Sequence, residues 1–151
     1  MLMGRGNGGY TEKTPNHSYK DSGGHKVTDQ GAIWVGERYI DAGYETVFRQ
    51  QHPERGHQYD LTIKSSDDEN FIKNIEVKRI TSKNASNIAK NINTAGAQIS
   101  DGDTVALYFP DRKSTQSNRV FVERGIAEAR RKGYIKGPIE VWFSDKTKIE
   151  Y

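Results

Sequence analysis

Tyr59-Asp60-Leu61-Thr62-Ile63-Lys64 and Ile75-Glu76-Val77-Lys78 are the stretches on which the reading of this chain turns. In the first, Leu61 and Ile63 alternate with Asp60 and Thr62. In the second, Ile75 and Val77 alternate with Glu76 and Lys78. Period-two alternation marks a strand with one apolar and one polar face. Ser65 to Asn70, polar and acidic, reads as a hairpin tip, and Phe71 to Ile80 as the returning strand. Residues two apart on a strand stand roughly 7 Å apart and point the same way. Glu76 and Lys78 therefore share a face, and pairing of the two strands lets Asp60 project from it as well.

Two carboxylates and an ammonium at one point are equipment for metal-assisted phosphodiester cleavage. A cation such as Mg²⁺ takes hard oxygen ligands at about 2.0–2.1 Å and usually keeps several waters. Asp60 and Glu76, with the Val77 carbonyl as a third ligand, would supply an open site of that kind. Such an ion makes water more acidic and polarises a phosphoryl oxygen. Lys78 can orient the attacking water or neutralise charge growing on the phosphorane oxygens. The bland alternative is that the same spacing sits on solvated strands, with the charges facing water.

A chain of 151 residues suits one domain with one core. With 33% hydrophobic and 28% charged residues, that core is small and some of the chain is expected to stay loose. A formal charge of +3 suits a polyanionic partner without requiring one. The absence of cysteine excludes disulfides and thiolate metal sites. No stretch approaches the ~20 apolar residues of a membrane span, and Met1 to Gly9 lacks the apolar run of a signal peptide.

Residues 1–26, rich in Gly, Ser, Asn, Lys and His, read as a flexible lead-in or linker, and 27–151 as the folded domain. A helix is expected from Thr28 or Asp29 to Gly43, with Ile33, Gly36, Glu37, Ile40 and Tyr44 on one stripe. Glu37 is the anomaly there, a carboxylate on an apolar face; it either serves a site or salt-bridges at the stripe's edge. Glu45 to Gln50 reads as a strand and His52 to Gly56 as a turn. Asn84 to Ile99 follows as a helix, then Thr104 to Phe109 as a strand buried on both faces. Asp111 to Asn118 reads as a polar loop, Arg119 to Lys132 as a helix with Val122, Ile126 and Ala129 inward, and Ile139 to Phe143 as a last strand. That order predicts an α/β fold, a mixed sheet with flanking helices.

The chain resembles the PD-(D/E)xK phosphodiesterases, the restriction-endonuclease-like fold. In that family a helix and three antiparallel strands precede a second helix and a fourth strand. Tyr59-Asp60 matches the Asp position, with Tyr where the nominal Pro stands, and Ile75-Glu76-Val77-Lys78 matches the Glu-x-Lys half. Gly36-Glu37 and the run Ala42-Gly43-Tyr44-Glu45-Thr46-Val47 are similar to the family's first helix and strand. The resemblance covers roughly residues 28–110. It implies Mg²⁺ or Mn²⁺ on Asp60 and Glu76, a further acidic contribution from Glu37, and support from Gln98 on the helix after Glu-x-Lys.

Within that superfamily the chain looks most like the CdiA-type C-terminal toxin domains of contact-dependent growth inhibition. That likeness implies an endonuclease acting on RNA, above all tRNA. It also implies carriage on a larger secreted or cell-surface bacterial protein, action in the target cell's cytoplasm, and neutralisation by an acidic immunity protein. The alternatives are a DNA endonuclease of the same fold, a nucleic-acid-binding module without catalysis, and a mobile-element structural appendage in which the carboxylates are incidental. Outside the central cluster, His57 is either a proton shuttle or a loop histidine. Lys83 and Lys90 either contact phosphates or face water. Thr81 either touches substrate or simply follows the strand, with Ser82 or Asn84 capping the next helix.

Overall fold

The computed structural model describes residues 19–52, 59–65 and 72–151. The chain divides into two compact units, Met1–Ile75 and Glu76–Tyr151. Six strands are hydrogen-bonded in sequence order, and with three helices they make a mixed α/β sheet protein.

In the first unit, helix α1 (Gln30–Asp41) begins where the Asp29 carboxylate accepts from the Ala32 N–H at 2.9 Å. It is followed by Gly43 at φ +94°, a left-handed turn that glycine adopts without strain. Strands β1 (Glu45–Phe48) and β2 (Leu61–Lys64) pair antiparallel, as do β2 and the first half of β3 (Ile72–Arg79), with Leu61 opposite Ile75. The buried face of α1 is Gly31, Ala32, Val35, Gly36 and Tyr39; of the expected stripe Ile33, Gly36, Glu37, Ile40 and Tyr44, only Gly36 is buried. The inward face turns toward the small residues because they allow close approach: a Cβ on Gly36 would meet the Phe48 ring at 2.7 Å.

Two further expectations change in this unit. Thr62 is buried along with Leu61 and Ile63, its hydroxyl donating to the Asn74 side chain at 3.0 Å, so β2 lacks the clean polar face that its alternation suggests. Tyr19, read as lead-in, is buried against the Phe48 ring. The chain turns back after it through an isolated Lys20–Lys26 bridge, and the Ser22 N–H donates to the Phe48 carbonyl.

In the second unit β3 continues through Glu76 to Arg79, and α2 (Ser86–Gly96) follows. Its N-cap is Ala85 with no side-chain cap, not Ser82 or Asn84 as expected; those two instead hold the preceding turn, Ser82 Oγ accepting from the Asn84 N–H and Asn84 Oδ1 from the Ser86 N–H. Strand β4 (Thr104–Phe109) is buried at every position and lies parallel to β5 (Ile139–Phe143). Helix α3 (Gln116–Arg131) starts earlier than the polar composition of its first turn suggests, because Thr115 caps it through the Asn118 N–H. A last strand, β6 (Lys148–Glu150), pairs antiparallel with β5 and was not expected from three residues with one apolar side chain.

Helices α2 and α3 pack together at Gly125, where a Cβ would collide with Ile88 Cβ and with the Ala85 carbonyl at 2.8 Å. Backbone cannot step aside as a flexible side chain does. Gly125→Ala should therefore lower stability by about 1–3 kcal/mol, as overpacking does. Urea denaturation measures it, and a variant as stable as the parent would show that the two helices have room to part.

Candidate active site

Glu76 and Lys78 follow one another on the same face of β3, and the fold brings a third residue to them. Glu76 is only 3% exposed. The Lys78 ammonium lies 3.2 Å from Glu76 Oε2 and donates to Gln98 Oε1 at 2.7 Å. The Lys78 side chain keeps 20% of its surface and that of Glu76 only 4%. Gln98 is not on the helix, as expected, but beyond it: α2 stops at Gly96, Ala97 caps it, and the Gln98 N–H donates to the Ala95 carbonyl in the turn. The turn points the amide at Lys78 where a further helical residue would follow the α2 spiral.

In the first unit, Asp60 is half-buried and held by its backbone. Its N–H donates to the Ile75 carbonyl at 2.9 Å and its carbonyl accepts from the Arg49 N–H at 2.8 Å. Glu37, also half-buried, accepts a hydrogen bond from the Tyr19 hydroxyl at 3.0 Å. Burial first, and the Glu37 carboxylate second, push the Tyr19 phenol well above its ordinary value of 10.0. The sequence reading missed Tyr19 because it sits in a polar stretch; the signal that could have found it is the Asp21-Ser22-Gly23-Gly24 turn that follows.

Of the outlying candidates, Thr81, Lys83 and Lys90 are exposed, and His57 lies outside the described residues. Among the described residues no group of three or more His, Cys, Asp and Glu could hold a metal ion. Asp60 and Glu76, in separate units, each offer oxygen donors, the kind a hard divalent ion takes. No protein-family model matches the chain, and no curated protein and no solved structure matches it.

Two predictions follow from these pairings. Lys78→Met leaves a buried carboxylate without its cation and should cost about 3 kcal/mol. Adding Glu76→Gln should recover at least about 1 kcal/mol of that loss in a double-mutant cycle. Strict additivity of the two changes would show that the pair is not coupled.

The second concerns alkaline pH. A phenol whose folded pKa lies above its unfolded value favours the folded state while it stays protonated. The stabilisation from Tyr19 is thus complete below its ordinary 10.0 and is lost as pH rises from there through the folded value. Tyr151, pushed up to about 12 by burial and by Glu123, titrates in the same window. Tyr19→Phe should cost about 1.5–3 kcal/mol at neutral pH, the worth of a hydrogen bond to a charged group. It should also make the fall in stability above pH 10 shallower. Denaturant melts of both proteins at neutral and alkaline pH test this, and parallel pH curves would refute it.

Proposed function

We propose that this protein is a metal-dependent endonuclease of the PD-(D/E)xK type that cleaves RNA, with tRNA as its substrate. In this reading it is a toxin domain carried on a larger secreted or cell-surface bacterial protein. It works in the cytoplasm of a neighbouring cell and is neutralised by an acidic immunity protein. The observation that carries the reading is the Lys78 ammonium held between a buried Glu76 and Gln98. A lysine that merely decorated a strand would extend into water. This one is kept at a carboxylate, with part of its surface open to a reactant.

The second carboxylate is assigned to Asp60. Its support is the β2–β3 ladder, whose Leu61–Ile75 pair adjoins Asp60 and Glu76 along the chain. Glu76 and Asp60 would hold Mg²⁺ or Mn²⁺. When bound, such an ion supplies Lewis acidity at a phosphoryl oxygen and makes water more acidic. Lys78 donates to the attacking water or to a non-bridging oxygen, placing positive charge where negative charge grows in the transition state. Gln98 holds the Lys78 Nζ in place, and Glu37 adds negative charge that favours a cation. Water adds to phosphorus, the P–O3′ bond breaks, and the products are a 5′-phosphate and a 3′-hydroxyl.

The test incubates the protein with total tRNA and, separately, with plasmid DNA, each with Mg²⁺ and with EDTA. Cleavage of tRNA with Mg²⁺ to 5′-phosphate ends is expected, with activity falling at least about 100-fold in Asp60→Asn and Glu76→Gln, the scale of a lost catalytic group. A 2′,3′-cyclic end that persists in EDTA would defeat the metal assignment. Preferential cutting of plasmid would make the protein a DNA endonuclease. Binding of nucleic acid without cleavage under any divalent ion would make it a binding module.

A further inference from the structure

In the first unit a cavity of about 370 Å³ has Asp60 on one side and the turn after Tyr19 on the other. That volume lies within the range of ligand pockets, roughly 300–1,000 Å³. Its walls are pinned by backbone bonds. The Ser22 N–H donates to the Phe48 carbonyl at 2.8 Å and Ser22 Oγ accepts from the Gln50 N–H at 2.9 Å, fixing the turn to the end of β1. The Arg49–Asp60 backbone bond fixes the far wall.

The charges lining this cavity are not equivalent. Asp29 is committed to the helix cap, accepting from the Ala32 N–H. Asp21 accepts from the Gly23 and His25 N–H groups and stands 3.8 Å from His25 Nδ1. Lys26 and Arg49 are exposed, and among the described residues neither is ion-paired to a carboxylate. Arg49 lies 5.5 Å from the Tyr59 ring centroid, a contact that takes up a guanidinium face and leaves its N–H edge available. Of the acids here Asp21 and Asp29 close a turn and a cap, while neither cation is ion-paired to a carboxylate among the described residues.

We infer that this cavity is a subsite for one phosphodiester of a nucleic-acid strand, with Lys26 and Arg49 as its phosphate ligands. The inference takes its ligand from the nuclease reading and adds where the strand runs: through the turn at Ser22–Lys26, past Asp60. An ammonium and a guanidinium lining one cavity suit non-bridging phosphate oxygens, the guanidinium by a two-pronged bond. Such contacts position a strand without reading its sequence. The turn that the sequence assigns to a loose lead-in becomes part of the substrate surface.

Binding of a short fluorescein-labelled single-stranded RNA by the full chain, read by anisotropy in EDTA across a salt series, tests this without cleavage. Lys26→Ala with Arg49→Ala should weaken binding on the order of tenfold at low salt. The slope of log affinity against log salt should shrink by about 1.4, two phosphate contacts on a single strand. Lys26→Arg with Arg49→Lys, which keeps both charges, should keep the salt slope of the parent. Circular dichroism confirms that the exposed substitutions leave the fold intact. Unchanged affinity and slope in the double alanine variant would overturn the subsite, as would a parent protein that binds no RNA. A parent that binds through these residues but cuts nothing with Mg²⁺ would sink the nuclease reading and leave the subsite. A parent that cuts while the double alanine variant is unimpaired would do the reverse.

Discussion

A carboxylate 3% exposed on a strand shared by both halves of the chain is the constraint around which the second unit is organised. Taking an ionised carboxylate out of water costs several kcal/mol unless a cation and hydrogen bonds replace what water supplied. Lys78 is the cation, two residues along the same strand, so pleat geometry alone brings it to the right face. A strand neighbour does not fix the far end of a four-carbon chain, however. Gln98 does, and its amide reaches Lys78 only because α2 ends at Gly96 and the chain turns there. Gly96 is itself crowded, since a Cβ would lie 3.3 Å from the Tyr134 carbonyl. The close seat of α3 on α2 at Gly125 also belongs to this support. The Lys78 ammonium is thus held by Glu76 on its own strand and by Gln98 in the turn after α2.

Features set by long apolar runs were legible in the sequence; features set by small or polar residues were not. Thr104–Phe109 and Ile139–Phe143 emerge with the bounds their composition suggests, because a run buried on both faces needs no phase. The phase of α1 did need one. Isoleucines suggested a stripe through 33, 36 and 40, whereas the true contact face keeps Gly36 and turns to Gly31, Ala32, Val35 and Tyr39. Small residues carry almost no hydrophobic signal, yet they allow the helix to approach Phe48 closely, and close packing is what decides. The same blindness hid β6, whose pairing with β5 depends on backbone rather than on its single apolar residue.

The candidate site divides along similar lines. Glu76 and Lys78 meet as the Glu-x-Lys spacing says they must, because period two is a property of any strand. Gln98 meets them for a different reason from the one its sequence position suggested. A helical residue there was expected, but α2 ends at Gly96 and closes through Ala97, two residues short of it. Tyr19 was illegible because its partner Glu37 lies 18 residues away and its own neighbours are polar. A side chain's burial is decided by what folds over it, and a window of sequence does not contain that.

Two acids, one in each unit, meet donors of different kinds. Glu76 lies 3.2 Å from the Lys78 ammonium. Glu37 accepts from the Tyr19 phenol, a neutral donor. Burial first and the Glu37 carboxylate second raise the affinity of Tyr19 for its proton. A neutral donor satisfies an acceptor oxygen without offsetting its charge, whereas an ammonium does both, so a carboxylate as deeply buried as Glu76 calls for the second kind of partner.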